Sequence, residues 1–344
     1  MKALSYLNAP LWVLGVFGAE KSYRKNPILG SPTLNRWGLH RKRVEIAEAL
    51  AAFRRQRLAA SLDPQQRSFF DANGYMVIEN FLEPETYAAL LRETSEKIFP
   101  AREMRQGQTV TRMTPLPPEV LDHNPGLAAA ARDPRAKAMI RYAASQGGQP
   151  HCFLQTVIAE PSRKAKDPQT DVHSDTFHAT AKAWLFLQDV GEEDGPFCFV
   201  PGSHRMTPER LAWEYEQSLS ASSAKDGHHA SGSFRIGLDA LAGLGLPAPV
   251  RMAVKGNTLI VADTHAFHGR TPSERPTIRA EVHWHHRRNP FLPWTGLDPI
   301  ALPGLREREM NLFLAISDLQ ERYLRQQHIW RDVGAVALRS QAHV

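Results

Sequence analysis

The stretch DVHSDTFH, residues 171–178, contains the chain's one His-x-Asp pair, His173 and Asp175. An imidazole and a carboxylate two residues apart on a strand point to the same side, because strand side chains alternate with a period of two. Such a pair supplies two of the three ligands of a 2-His-1-carboxylate facial triad, which leaves positions open on Fe(II). With 15 histidines in the chain, a pair of this kind also arises by chance, so residues further down the chain have to decide. The missing ligand would be a remote histidine. The segment GNTLIVADTHAFHGRTPSERPTIRAEVHWHH, residues 256–286, offers His265, His268, His283, His285 and His286.

An iron with open positions needs an electron-rich co-substrate to activate O2. 2-Oxoglutarate serves by chelating the metal through its 1-carboxylate and 2-keto oxygen. Its far carboxylate then needs a buried, permanently charged, fork-shaped partner, a role that suits arginine better than lysine. Arg279 lies on a predicted strand over 277–286, where alternation puts Glu281 and His283 on its face and Ala280, Val282 and Trp284 on the other. For Glu281 and His283 a buried hydrogen-bonded network is preferred over substrate contact, since buried charges must be paired. Other polar residues take structural readings. His204 in PGSHR caps a turn, His178 lies at the pocket mouth or in a solvated loop, and His228-His229 sits in a flexible loop with no second metal.

These residues need a scaffold. Ile46, Leu50 and Phe53 predict the apolar face of a helix over 38–60. Asp63-Pro64 starts a second helix that runs to Ala72. Asn73-Gly74 is a turn, Tyr75–Asn80 a short strand, and Glu83-Pro84 opens a helix to Ile98. Residues 100–128 are polar and proline-broken, with a strand at Thr109–Met113, and Asp133-Pro134 begins a helix that ends near Gln146. After Pro150, short apolar segments at 151–158, 182–189, 196–200, 250–254, 258–263 and 277–286 alternate with turns, the pattern of an antiparallel barrel or jelly roll. A helix at Pro208–Leu219 and a Ser/Gly/His-rich loop predict that 206–248 is a lid or rim insertion. Leu312, Phe313, Ile316, Leu319 and Tyr323 predict a packing helix over 305–326.

Composition narrows the class. A chain of 344 residues, 42% hydrophobic and 23% charged, is that of a soluble globular protein with a large core. Cys152 and Cys198 make no disulfide framework and fit a reducing compartment. Residues 21–57 carry ten basic and two acidic side chains, so this segment is +8 and the remainder is −2. A nucleic-acid enzyme would spread basic surface around its site, so that class is set aside. The apolar run Leu11–Ala19 is too short to span a bilayer, and Asn8 and Pro10 argue against a signal peptide. Trp12, Leu14 and Phe17 beside a cationic segment suit weak peripheral contact with an anionic leaflet, against the blander reading of an arm packed on the domain with its charges in water. The expected location is cytoplasmic, with possible membrane contact confined to residues 1–60.

Four segments in order carry a family resemblance: FFDANGYMVIENFLEPE (69–85), HSD (173–175), EEDGPFCFVPGSHR (192–205), and GNTLIVADTHAFHGR followed by Arg279. Together they resemble the phytanoyl-CoA dioxygenase family of Fe(II)/2-oxoglutarate oxygenases across residues 65–290. The resemblance implies His173, Asp175 and His268 as iron ligands, the eleven-residue step to Arg279 selecting His268 over His265. It implies Arg279 as the 2-oxoglutarate anchor, with Trp184 and, more weakly, Gln155 near the co-substrate. Arg270, Thr271 and Ser273 depart from the family's usual choices after the distal histidine. The implied fold is mainly β with flanking helices, a double-stranded β-helix or jelly-roll barrel. Its parts would be an arm and helix at 1–60, an oxygenase domain at 61–304 and a C-terminal helix at 305–344.

The implied reaction is hydroxylation of an unactivated C–H bond of a small-molecule or lipid-like substrate. O2 is consumed and 2-oxoglutarate decarboxylates to succinate and CO2. Asp175 favours hydroxylation over halogenation, while desaturation and epimerisation share the same oxidant. The rival readings are a non-oxidative metal barrel, either a zinc hydrolase or a sensor, and a binding protein that has lost turnover. A hydrolase would have no use for Arg279.

Overall fold

In the computed structural model, which describes residues 9–298, 302, 304–305, 307–324 and 328–344, the apolar segments after Pro150 pair into two antiparallel sheets. Lys2, Asn8 and positions 325–326 of the expected C-terminal helix lie outside the described residues. The chain opens with helices α1 (Ala9–Val16), α2 (Pro32–Arg36), α3 (Leu39–Leu58) and α4 (Pro64–Asn73), then strand β1 (Tyr75–Ile78) and α5 (Pro84–Glu96). A hairpin of β2 (Ile98–Gln106) and β3 (Thr109–Pro115) leads to α6 (Pro118–Leu121), α7 (Pro125–Arg132) and α8 (Pro134–Ala143). Then come β4 (His151–Ala159), β5 (Ala181–Phe186) and β6 (Phe197–Phe199). Helices α9 (Pro208–Ser220), α10 (Gly227–Ala230) and α11 (Leu238–Gly243) follow. Last are β7 (Val250–Arg251), β8 (Leu259–Asp263), β9 (His268–Arg270), β10 (Thr277–His286), α12 (Glu309–Leu324) and β11 (Arg331–Ala337).

The large sheet runs β1-β8-β5-β10-β4-β3-β2-β11 and the small one β7-β6-β9. Every pairing is antiparallel. This is the expected double-stranded β-helix, built as two facing sheets and not as a closed ring of strands. One face of the large sheet packs on α4, α5, α7 and α8: Ala280, Val282 and Trp284 of β10 join Phe70, Leu90, Leu127 and Ile140 in the main core. Truncating any one of these large core side chains to alanine should cost about 2–5 kcal/mol. The opposite face looks toward the small sheet, where Trp184 and Phe186 meet Phe197 and Phe199. The alternation read along β10 therefore holds: its even residues face the helices, and Arg279, Glu281 and His283 line the cavity between the sheets.

The helix starts obey local chemistry. Asp63 accepts from the N–H groups of Gln65 and Gln66 ahead of Pro64, and Asp133 from those of Arg135 and Ala136 ahead of Pro134, which satisfies donors that no turn of helix can reach. Gly74 ends α4 at φ +85°, a left-handed conformation suited to glycine.

Several expectations are corrected. The buried face of α3 is His40, Arg43, Val44, Ala47, Ala51 and Arg54, whereas Ile46 and Phe53 are exposed. The basic segment is not simply left in water. Arg54 donates to the carbonyls of Ser145, Pro290 and Leu292, and Arg43 to those of Gly15, Val16, Gly18 and Glu20. Buried carbonyls need donors, and these long side chains supply them as they dock the arm. Residues 100–128 hold most of β2 and all of α6 and β3, with the start of α7. Pro100 kept β2 from view, yet it pairs with Ala335 beside a register shift in β11, a place where a missing N–H is tolerated. On α12 the predicted packing face is the exposed one: Leu312, Phe313, Ile316, Leu319 and Tyr323 all face out, while Leu314 and Ser317 are buried. His228 and His229 sit in a short helix capped by Asp226 and not in an open loop.

Candidate metal and co-substrate site

His173 is not part of a regular strand; it forms single bridges to Arg235 and to His268, the first residue of β9. The His173 and His268 backbones exchange both hydrogen bonds, and Asp175 N–H donates to the Thr264 carbonyl at 2.9 Å. The spacing of two still turns His173 and Asp175 to one side. One ligand atom from each of His173, Asp175 and His268 lies within 4.8 Å of the others. The two imidazole rings are 4.7 Å apart, centre to centre, and each Nε2 is 3.7 Å from an Asp175 oxygen.

Both rings are held by their other nitrogen. His173 Nδ1 donates to the Asp171 carbonyl at 2.6 Å and His268 Nδ1 to the Ala266 carbonyl at 2.9 Å. A carbonyl only accepts, so the proton sits on Nδ1 and the Nε2 lone pair faces the site, the arrangement by which outer partners orient metal-binding histidines. Burial pushes His268 down to about 4 and His173 well below its ordinary value, so both are neutral at pH 7. Burial would raise the Asp175 carboxyl, but Lys182 and the two histidines outweigh it and hold it well below the usual range. Lys182 Nζ is 2.6 Å from Asp175 Oδ2, and Lys21 from the N-terminal arm donates to the Asp175 carbonyl.

His173 and His268 line a cavity of about 220 Å³, with Asp175 held against both. Trp184, Phe186 and Phe197 form an apolar wall, and Gln155, Arg270, Arg279, Glu281 and His283 supply polar groups. Arg279 is buried on β10, and one Nη donates to the carbonyls of Gly195 and Asp194 while Nε has no partner. Burial lowers it to about 10, so it stays charged. Gln155 Nε2 donates to Glu281 Oε1 at 2.6 Å, whereas Glu281 Oε2 and His283 Nδ1 have no partner, so the expected network is present only in part, and all three residues line the cavity.

All six residues singled out from the sequence thus meet here: His173, Asp175, His268 and Arg279 with Trp184 and Gln155. Among the described residues no other histidine joins this cluster. His265 lies beside Arg210 and Glu214, behind the site. His286 Nε2 donates to the Gly147 carbonyl. His178 is buried, its Nδ1 donating to the Ala179 carbonyl, and is neither at the mouth nor solvated. His204 packs on Phe70, and the turn it was expected to cap is held by Ser203 Oγ donating to the Val200 carbonyl. Thr271 and Ser273 spend their hydroxyls on the carbonyls of Pro196 and Arg275.

Lys182 was missed, and Arg270, noted only as a departure from the family pattern, was not placed in the cavity. Lys182 lies two positions before Trp184 on β5, so alternation alone placed it on the cavity face. Arg270 lies two after His268 on β9 by the same rule. The 206–248 insertion contributes no described residue to the cavity wall. Its Arg210 and Glu214 brace the backbone of His265 from behind. The wall is completed instead by Met104 and Gln106 of β2, Gln169 and Trp330.

Residues 70–234 match the family model described as phytanoyl-CoA dioxygenase (PhyH). No curated relative matches the chain. Among solved structures, the chain is similar to HygX from Streptomyces hygroscopicus with nickel, 2-oxoglutarate and hygromycin B bound, at 18% identity over 71% of this chain and 94% of that one, with a TM-score of 0.40. It is similar also to the non-heme alpha ketoglutarate dependent carbocyclase SnoK from nogalamycin biosynthesis, at 16% identity over 79% and 96%, TM-score 0.41. A third is EctD from S. alaskensis with bound Fe, at 17% identity over 66% and 77%, TM-score 0.37.

Proposed function

We propose that this chain, whose residues 70–234 match the phytanoyl-CoA dioxygenase family model, is an Fe(II)/2-oxoglutarate-dependent oxygenase that hydroxylates an unactivated C–H bond of a small-molecule or lipid-like substrate. The observation that carries this reading is the convergence of His173, Asp175 and His268 on one point at the edge of the cavity that also holds Arg279. The donor set fits Fe(II): two neutral imidazoles with fixed tautomers and one ionised carboxylate, three ligands that leave positions open. Iron so held would supply the O2 chemistry, and the protein binds, orients and excludes water.

In this reading Arg279 grips the far carboxylate of 2-oxoglutarate with a buried fork that stays charged. Trp184, Phe186 and Phe197 close the cavity around the co-substrate chain, and Gln155 borders it. Asp175 occupies the place a halide would need, which favours hydroxylation over halogenation. A zinc hydrolase would leave the Arg279 guanidinium without a task. Succinate formed from 2-oxoglutarate in the presence of Fe(II) and O2, and abolished in both Arg279→Leu and His173→Ala, supports the oxygenase; metal-dependent hydrolysis without succinate refutes it.

Helix α1 offers a surface for a partner. This helix, APLWVLGV, has no charged side chain and buries none of its residues. Leu11, Leu14 and, just past its end, Phe17 are each about two-thirds exposed. A helix apolar on all sides is ordinarily covered by protein or lipid. Among the described residues no helix is long and apolar enough to cross a membrane. Exposed Arg24, Lys25, Arg36, Arg41 and Lys42 nearby in the chain suit an anionic leaflet. We therefore read α1 as a weak interfacial contact that brings an amphiphilic substrate to the site.

A further inference from the structure

Arg279 shares its face of β10 with Glu281, about 7 Å further along the strand. Glu281 is 2% exposed. One of its oxygens, Oε1, accepts from Gln155 Nε2 at 2.6 Å. The other, Oε2, is buried without any partner, as is Arg279 Nε. Both residues line the cavity. A buried oxygen left unsatisfied is costly, and beside a buried arginine fork it points to a ligand.

Charge counting then fixes the form in which Glu281 can serve. The groups that face it are Arg279 on its own strand and Arg270 from β9, and Arg270 Nη1 is already 2.9 Å from Asp167 Oδ2. β4 presents the uncharged Gln155 and β5 the uncharged Phe186 in register with it. His283, two residues on, is kept neutral by burial, and Lys182 is 2.6 Å from Asp175 Oδ2. With Asp167 offsetting Arg270, an ionised Glu281 would offset Arg279 and leave nothing for an incoming carboxylate. A neutral Glu281 leaves one net positive charge there. It also turns Oε2 into a donor, while Oε1 keeps its bond from Gln155 unchanged.

Building on the oxygenase reading, we propose that Glu281 binds the far carboxylate of 2-oxoglutarate as a neutral acid, donating from Oε2 beside the Arg279 fork. Burial raises the Glu281 carboxyl above its ordinary value, in the direction this role requires. Arg279 thereby gains a second co-substrate residue on its own strand. The affinity for 2-oxoglutarate is full where Glu281 is protonated and falls as pH rises and the acid ionises.

The test is calorimetric binding of 2-oxoglutarate to the full chain loaded with manganese(II), comparing wild type, Glu281→Gln and Glu281→Ala from about pH 6 to about pH 9. Manganese affinity and circular dichroism serve to show that each variant is folded with an intact metal site. Glutamine keeps both the acceptor for Gln155 and a donor at the Oε2 position. At the acid end of the range in which all three proteins stay folded, the expected result is wild-type affinity in Glu281→Gln and a loss of about tenfold or more in Glu281→Ala. Toward about pH 9 the wild type weakens, by up to about tenfold per pH unit, while Glu281→Gln stays level. Glu281→Gln as weak as Glu281→Ala throughout, or Glu281→Ala as tight as wild type, overturns the proposal and leaves the oxygenase reading standing. No binding of 2-oxoglutarate by the metal-loaded wild type overturns both.

Discussion

His173 and His268 donate their backbone N–H groups to each other's carbonyls, at 2.8 and 2.9 Å. A long stretch of chain is closed at this bridge, so the two imidazoles are set by main-chain pairing before any ion arrives. Because the Nδ1 protons are tied to carbonyls as well, the site is pre-organised. Replacing either imidazole removes a ligand without removing what positions the other.

Gly195 gives the carbonyl that receives Arg279, and it does so at φ +68°. A Cβ there would lie 2.8 Å from the Thr271 carbonyl oxygen. Left-handed backbone costs a non-glycine residue about 1–2 kcal/mol, and the clash adds to it. Gly195→Ala is expected to weaken 2-oxoglutarate binding by about tenfold and leave metal affinity unchanged, which parallel titrations of the two ligands would check.

Arg210 and Glu214 form a buried pair at 2.8 Å, with His40 on the other carboxylate oxygen at 3.0 Å. Burial pushes the Glu214 carboxyl up, but Arg210 and then His40 outweigh it and bring it to about 2. Its folded value is below its unfolded one, so its stabilising contribution is complete above the ordinary carboxylate range and is lost as pH falls toward 2. Glu214→Gln leaves Arg210 buried without a counter-charge and is expected to cost about 3–5 kcal/mol at neutral pH. Denaturant melts should show that difference shrinking below about pH 4.5.

How much was legible depends on what each residue does. The residues that meet at the candidate site were readable mainly through the resemblance, which named His268, Trp184 and Gln155, while spacing offered His173 with Asp175 and alternation the face of Arg279; alternation would also have put Lys182 and Arg270 on that face. The apolar strands after Pro150 were readable as short apolar segments between turns. The face of α3 was not, because its buried stripe includes His40, Arg43 and Arg54, whose heads are satisfied by partners far away in the chain: Glu214, the turn after α1, and residues 145 and 290–292. Likewise β2 is stabilised by β11, more than two hundred residues on, and a polar strand with a proline carries no local sign of that. The insertion at 206–248 has the length of a lid, but its Ser233–Ile236 segment pairs with the backbone of residues 172–174 and its Arg210 donates to the His265 carbonyl, so it braces the site instead of covering it.

The corrected orientation of α12 makes a simple forecast. Leu314 is 6% exposed and Phe313 is 49% exposed. Leu314→Ala should cost about 2–5 kcal/mol, whereas Phe313→Ser should stay within about 0.5 kcal/mol, the reverse of what the apolar stripe along the helix suggests. Chemical denaturation of the two variants decides it.

The reading of α1 predicts that Leu14→Asp with Phe17→Asp releases the protein from anionic vesicles and leaves uncoupled 2-oxoglutarate turnover unchanged. Co-sedimentation with phosphatidylglycerol vesicles, against neutral phosphatidylcholine, is the measurement. Equal partitioning of wild type and variant would remove the membrane from the account.

In the proposed function His173, Asp175 and His268 hold one Fe(II) while Arg279 grips 2-oxoglutarate beside it. Its most direct test is an anaerobic titration of the purified protein with Fe(II) and then 2-oxoglutarate, followed by the visible charge-transfer absorption of the chelated metal. The expected absorption saturates at one iron per chain, vanishes in His268→Ala, and in Arg279→Leu needs about a hundredfold more 2-oxoglutarate. No absorption in the wild type, or one indifferent to both substitutions, would contradict it.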